Sequence, residues 1–175
     1  SIHGGRVEQI ITTPAEDIRW SKKGDFFIYQ DNKGRENIWR KHQTSAVARD
    51  IWMYNNSTKD HKKLTQFNGE DRNPVLTNND QSFYYLSEES GSFNVYKMSV
   101  NGTDKKQISN FKNHPVRFLS KSNNDLLCYN YNGDLYTQKE GESPNKLSVY
   151  ISNDSKANNE KIIPVSGGIR DLALA

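Results

Sequence analysis

Between Asp50 and Phe111 the chain repeats itself at a spacing of 44 residues, and nothing else in the sequence constrains the fold as strongly. One copy runs Asp50-Ile51-Trp52-Met53-Tyr54, a polar turn, then Lys62-Lys63-Leu64-Thr65-Gln66-Phe67. The next runs Asn94-Val95-Tyr96-Lys97-Met98, a polar turn, then Lys106-Gln107-Ile108-Ser109-Asn110-Phe111. A weaker third copy is Asp134-Leu135-Tyr136-Thr137-Gln138 followed by Lys146-Leu147-Ser148-Val149, with Tyr136 lying 40 positions after Tyr96. A period near 40 built from short alternating segments predicts a β-propeller, each repeat being one four-stranded blade.

The other half of each repeat aligns as well. Ile18 to Tyr29 matches Pro74 to Tyr85, and Val116 to Tyr129 is a third copy with about one extra residue, which pairs Phe118 with Leu76 and Trp20. Each copy is a short apolar strand, a Ser/Asn/Asp/Gly turn and an aromatic-rich second strand. Asn, Asp and Gly suit such turns because they tolerate positive φ or bond their own backbone. No stretch shows sustained 3.6-residue apolar spacing, so almost no helix is expected. The pattern predicts an all-β chain of about three four-stranded antiparallel blades, at 16–67, 73–111 and 114–151. Trp20, Phe27, Leu76, Tyr84, Phe118, Leu127, Trp52, Tyr96 and Tyr136 are the expected core.

The first repeat carries surplus residues at 36–49, between its second and third strands. An insertion in a regular array projects from one face, often the binding face. Residues 6–11 read as a flanking strand and 162–175 as the start of a further blade, so 1–175 is expected to be part of an incomplete ring. Closed propellers have four to eight blades. Uncovered end faces then predict self-association of the isolated segment.

Composition narrows the function. A net charge of +3 with dispersed basic clusters argues for a solvated face over nucleic-acid binding. Cys128 stands alone in an apolar strand and reads as a buried structural thiol. No apolar run approaches a membrane span. There is no Gly-x-Ser-x-Gly elbow, zinc helix or phosphate loop, and His3, His42, His61 and His114 sit at no ligand spacing. Asp31-Asn32-Lys33-Gly34 lacks the run of oxygens a calcium site needs. The segment is therefore expected to hold no catalytic residue, metal or cofactor. Arg49 and Asp50, where the insertion rejoins the blade, either cap that blade or line the pore and hold a peptide terminus. With Arg40 on the insertion and His114 before Pro115, they are the candidate peptide-binding or pore-lining residues.

The strings Pro74-Val75-Leu76-Thr77-Asn78-Asn79-Asp80 and Ser92-Phe93-Asn94-Val95-Tyr96-Lys97-Met98 resemble the propeller repeats of TolB and of tricorn-type proteases. Arg49-Asp50-Ile51-Trp52-Met53-Tyr54, His114-Pro115-Val116-Arg117-Phe118 and Gly167-Gly168-Ile169-Arg170-Asp171-Leu172 look more like the tricorn branch. That resemblance implies a large serine peptidase as parent, with PDZ-like and catalytic domains elsewhere. It implies a propeller that gates or channels peptides or unfolded polypeptide to them, in the periplasm or outside the cell. The alternative is a TolB-like protein-binding propeller with no peptidase attached.

Overall fold

The computed structural model of the protein describes residues 4–35, 37 and 39–152. Three four-stranded antiparallel sheets follow one another along the chain. The first comprises β1 (Ala15–Trp20), β2 (Phe26–Asp31), β3 (Ile51–Asn55) and β4 (His61–Lys63). The second comprises β5 (Asp71–Leu76), β6 (Ser82–Ser87), β7 (Asn94–Ser99) and β8 (Lys106–Gln107). The third comprises β9 (Val116–Lys121), β10 (Leu127–Tyr131), β11 (Asp134–Gln138) and β12 (Asn145–Lys146). Each sheet is ordered as its strands occur in sequence, and no helix forms among the described residues. The three sheets are propeller blades in an arc that does not close.

Local chemistry explains the strand ends. The first hairpin of each blade is tied by the same backbone bonds, from Ser21 to Phe26, Thr77 to Ser82 and Ser122 to Leu126. Gly24, Asp80 and Asp125 take the equivalent left-handed place in these turns, with φ of 72°, 57° and 59°. Gly, Asp and Asn reach that region at low cost. Asn132 and Gly133, both at positive φ, close the β10–β11 hairpin as an Asn-Gly pair does.

The ladders place Trp52 opposite Tyr29, Tyr96 opposite Tyr85 and Tyr136 opposite Tyr129, so the aromatic repeat occupies one site in every blade. Two apolar layers form between neighbouring blades. Ile28, Ile51 and Leu64 of the first blade pack on Leu76, Phe83, Tyr85, Tyr96 and Met98 of the second. Val75, Tyr84, Leu86, Phe93 and Val95 on the other face of the second pack on Val116, Leu119, Leu127 and Tyr129 of the third. Each such side chain contributes about 1.5–3 kcal/mol by leaving water.

Several expectations need correction. Trp20 is 41% exposed. It shares its ladder position with Leu76, but Leu76 is covered by the first blade, whereas Trp20 meets the Phe27 ring of its own blade edge-on at 4.7 Å. Phe118 is 63% exposed because its true equivalents are Asp17 and Asn73, three positions from the alignment that paired it with Leu76. All three sit at a bulge in the inner strand, with φ of 57°, 51° and 51°. Trp52, Tyr136 and Cys128 are half-buried. Residues 6–11 form no strand. Ile11 instead packs on Phe27, Tyr29 and Tyr54, so the segment is held by its side chain and not by a ladder. The further blade expected at 162–175 lies outside the described residues.

Candidate functional site

The inner strands β1, β5 and β9 converge, and each places two residues at its bulge toward the axis. In chain order these are Glu16 and Asp17, Arg72 and Asn73, and Arg117 and Phe118. With Gln30, Arg49 and Trp39 they line a cleft of about 210 Å³. Because Ala15 pairs with Asp31, the cleft lies at the end from which the 36–49 insertion emerges.

Its floor is a buried charge network. Arg49 Nη1 lies 3.1 Å from Glu70 Oε1, Arg72 Nη1 is 3.4 Å from the same oxygen, and Arg49 Nε is 3.4 Å from Glu16 Oε2. Arg72 also lies over the Phe93 ring at 4.3 Å. Burial pulls the Arg72 guanidinium below its usual value, Glu70 opposes this, and Arg117 and Arg49 add to the fall. Removing one member of such a network strands its partner and costs about 3–5 kcal/mol. Above this floor, Asn73 Nδ2 donates to Asp17 Oδ2 at 2.6 Å, and the Asn73 backbone N–H donates to Gln30 Oε1 at 2.8 Å.

The insertion reaches across the mouth. Trp39 stands edge-on to Phe118 at 6.2 Å between centroids, and the Arg117 guanidinium lies 4.8 Å from the Trp39 ring centroid. The His42 backbone N–H donates to Glu88 Oε2 at 2.8 Å, in the turn after β6. The insertion is thus anchored on all three blades. Gln43, Ala48 and Arg49 within it are buried, so it is more than the surface projection expected from sequence.

The four candidate residues separate. Arg49 lines the cleft. Asp50, its neighbour, turns away and is held by Lys33 Nζ at 2.6 Å and Lys63 Nζ at 2.9 Å. Arg40 is exposed on the insertion, its backbone N–H donating to the Asn37 carbonyl at 2.9 Å. His114 is exposed at the entry to β9, its ring edge-on to Tyr131 at 6.0 Å. The cleft is built instead from charged and polar inner-strand residues that sequence reading passed over. The available signal was a charged residue just before each bulge: Glu16, Arg72 and Arg117.

Among the described residues no cluster of three or more His, Cys, Asp or Glu could hold a metal ion. Nor, among the described residues, is any helix long and apolar enough to cross a membrane.

Residues 1–144 match the family described as the tricorn protease N-terminal beta propeller domain. The chain belongs to this family. The Tol-Pal system protein TolB of Helicobacter hepaticus is 22% identical over 150 residues, which are 84% of this chain and 31% of TolB. The tricorn protease homologue of Saccharolobus solfataricus is 25% identical over 117 residues, 66% of this chain and 11% of the homologue. The crystal structure of the tricorn protease aligns with a TM-score of 0.65 at 18% identity, over 80% of this chain and 13% of that one. At that identity the match shows the shared fold. This tricorn-type propeller spans under a third of the curated relatives it matches.

Proposed function

We propose that this tricorn-type propeller segment is a non-catalytic element of a serine peptidase, guiding peptides through its axial cleft to a catalytic domain elsewhere in the parent chain. The observation that carries the reading is the cleft itself. It joins two half-buried acids (Glu16, Asp17), a guanidinium (Arg117) and two exposed aromatic rings (Trp39, Phe118) at the point where the inner strands converge. Such a surface offers hydrogen-bond donors and acceptors to a peptide backbone, and apolar contact to its side chains, without reacting with either. Arg49 belongs to it as a fixed part of the floor, while Arg40, exposed on the insertion, is the residue we assign to meeting an incoming chain.

The test separates guidance from chemistry. In the parent enzyme, Arg117→Ala should lower kcat/KM for oligopeptides about ten-fold or more while leaving turnover of a single-residue amide unchanged, since a lost interaction made with the substrate outside the reacting centre scales with substrate length. Equal losses for both substrates, or none, contradict the reading.

A second reading is favoured by the extent of the TolB match, which covers more of this chain than the tricorn homologue does. On it, the same face binds a folded protein and no peptidase is attached. The sequence of the parent beyond Ala175 discriminates, because a PDZ-like and catalytic region is either present or absent.

A further inference from the structure

The residue at the third inner-strand bulge is chemically out of place. Blades one and two put Asp17 and Asn73 there, side chains that tolerate a left-handed backbone. Blade three puts Phe118 there, a bulky residue at φ 57° for which that region is strained. Its ring is neither core nor turn, being 63% exposed. What it meets is Trp39, itself 57% exposed, which rests against Phe118 on one side and Arg117 on the other. Trp39 and Arg117 are 78 residues apart in the chain, and the inner strands β1 and β9 of their two blades do not touch. Trp39 therefore bridges the cleft mouth by a contact that buries less than half of its own surface.

A strained, exposed aromatic residue beside a guanidinium forms a shelf for another aromatic side chain, since rings prefer edge contacts and guanidinium groups lie over ring faces. We propose that the Arg117–Phe118 shelf recognises an aromatic side chain of a peptide entering the cleft, and that Trp39 occupies it in cis as a competing self-ligand. The assignment deepens the peptide reading of the cleft and rests on it for the class of ligand. A ligand reaches the shelf only in the fraction of molecules from which Trp39 has lifted, so its apparent affinity is reduced by that fraction. The shelf would then select peptides carrying Trp, Tyr or Phe, and the insertion would set the threshold for their entry.

The test uses two capped probes, acetyl-Ser-Trp-Ser-amide and acetyl-Ser-Ala-Ser-amide, titrated into the full chain and followed by amide NMR shifts. Trp39→Ala should bind the Trp probe about ten-fold or more tighter than wild type, because the competing self-ligand is gone. Adding Phe118→Asn should remove that gain, and the Ala probe should bind neither protein. Equal affinities for wild type and Trp39→Ala overturn the proposal, as does a gain that survives Phe118→Asn. Failure of the Trp probe to bind Trp39→Ala at all also overturns it. In that event, uncapped peptides that still shift Asn73 and Gln30 would leave the cleft reading standing.

Discussion

The backbone N–H of Lys22 donates to the Asp80 carboxylate at 2.7 Å, across the boundary between the first and second blades. The same bond recurs one blade on, from Asn78 to Asp125 at 2.9 Å. Each carboxylate sits at the left-handed position of its own hairpin and reaches back to the preceding one. A second clasp repeats at the outer strands. Lys62 Nζ donates to the Asn101 carbonyl at 2.8 Å, and Lys106 Nζ donates to Glu140 Oε1 at 3.1 Å. Blade one has Gly24 where the other two have Asp, so its hairpin cannot extend the clasp backward.

Asp80→Ala and Asp125→Ala should each therefore destabilise the protein by about 1 kcal/mol, the usual net worth of one such bond, plus the strain of Ala at positive φ. Asp125→Asn should cost less than Asp125→Ala, because Asn keeps an acceptor and tolerates the backbone. Urea denaturation of the three variants checks the ordering, which fails if Asn and Ala are equivalent.

Phe118→Asn should be more stable than Phe118→Ala by about 0.5–1 kcal/mol. Both lose the edge contact with Trp39, but only Asn relieves the left-handed strain. Thermal unfolding of the pair reads the difference directly. Equal melting temperatures would show that the bulge carries no strain.

The repeat and the blade interiors were legible because strand alternation and aromatic spacing survive in sequence, as Trp52, Tyr96 and Tyr136 at one ladder site illustrate. The third inner strand was not. Its bulge position accepts Asp17, Asn73 or Phe118, which share a backbone angle and no side-chain chemistry, so an alignment seeking apolar matches slipped by three residues. Arg49 could be found because it stands where an insertion ends. Glu16, Arg72 and Arg117 gather only through the convergence of three strands, which no local pattern records.

Stability should fall as pH rises from about 4 to 7. Asp71 is 1% exposed, and burial pushes its carboxyl up to about 7, with the Ser87 and Thr65 hydroxyls opposing and Asp50 and Glu89 adding to the rise. An acid raised in the folded state holds its proton more tightly there than in the unfolded chain. Its contribution is full below the ordinary value of 3.8 and is lost as pH climbs through 7. Asp71→Asn should flatten the fall in melting temperature over that range. An unchanged slope would remove Asp71 as its cause.

The isolated segment should self-associate. Trp20 on the first blade, Leu135 on the third and the run Val149-Tyr150-Ile151 all present apolar surface to solvent. Patches of that kind drive association. Sedimentation equilibrium over a wide concentration range should show dimers or larger species. A monomer at millimolar concentration contradicts this.

The most direct test of the account is where a bound peptide lies. A peptide carrying a benzophenone side chain, photolysed on the protein and mapped by mass spectrometry, should attach at the axial cleft, to Trp39, Asn73, Arg117 or Phe118. Competition by the unlabelled peptide should abolish the adducts. Adducts confined to the outer strands β4, β8 and β12, or scattered without competition, would contradict an axial peptide site.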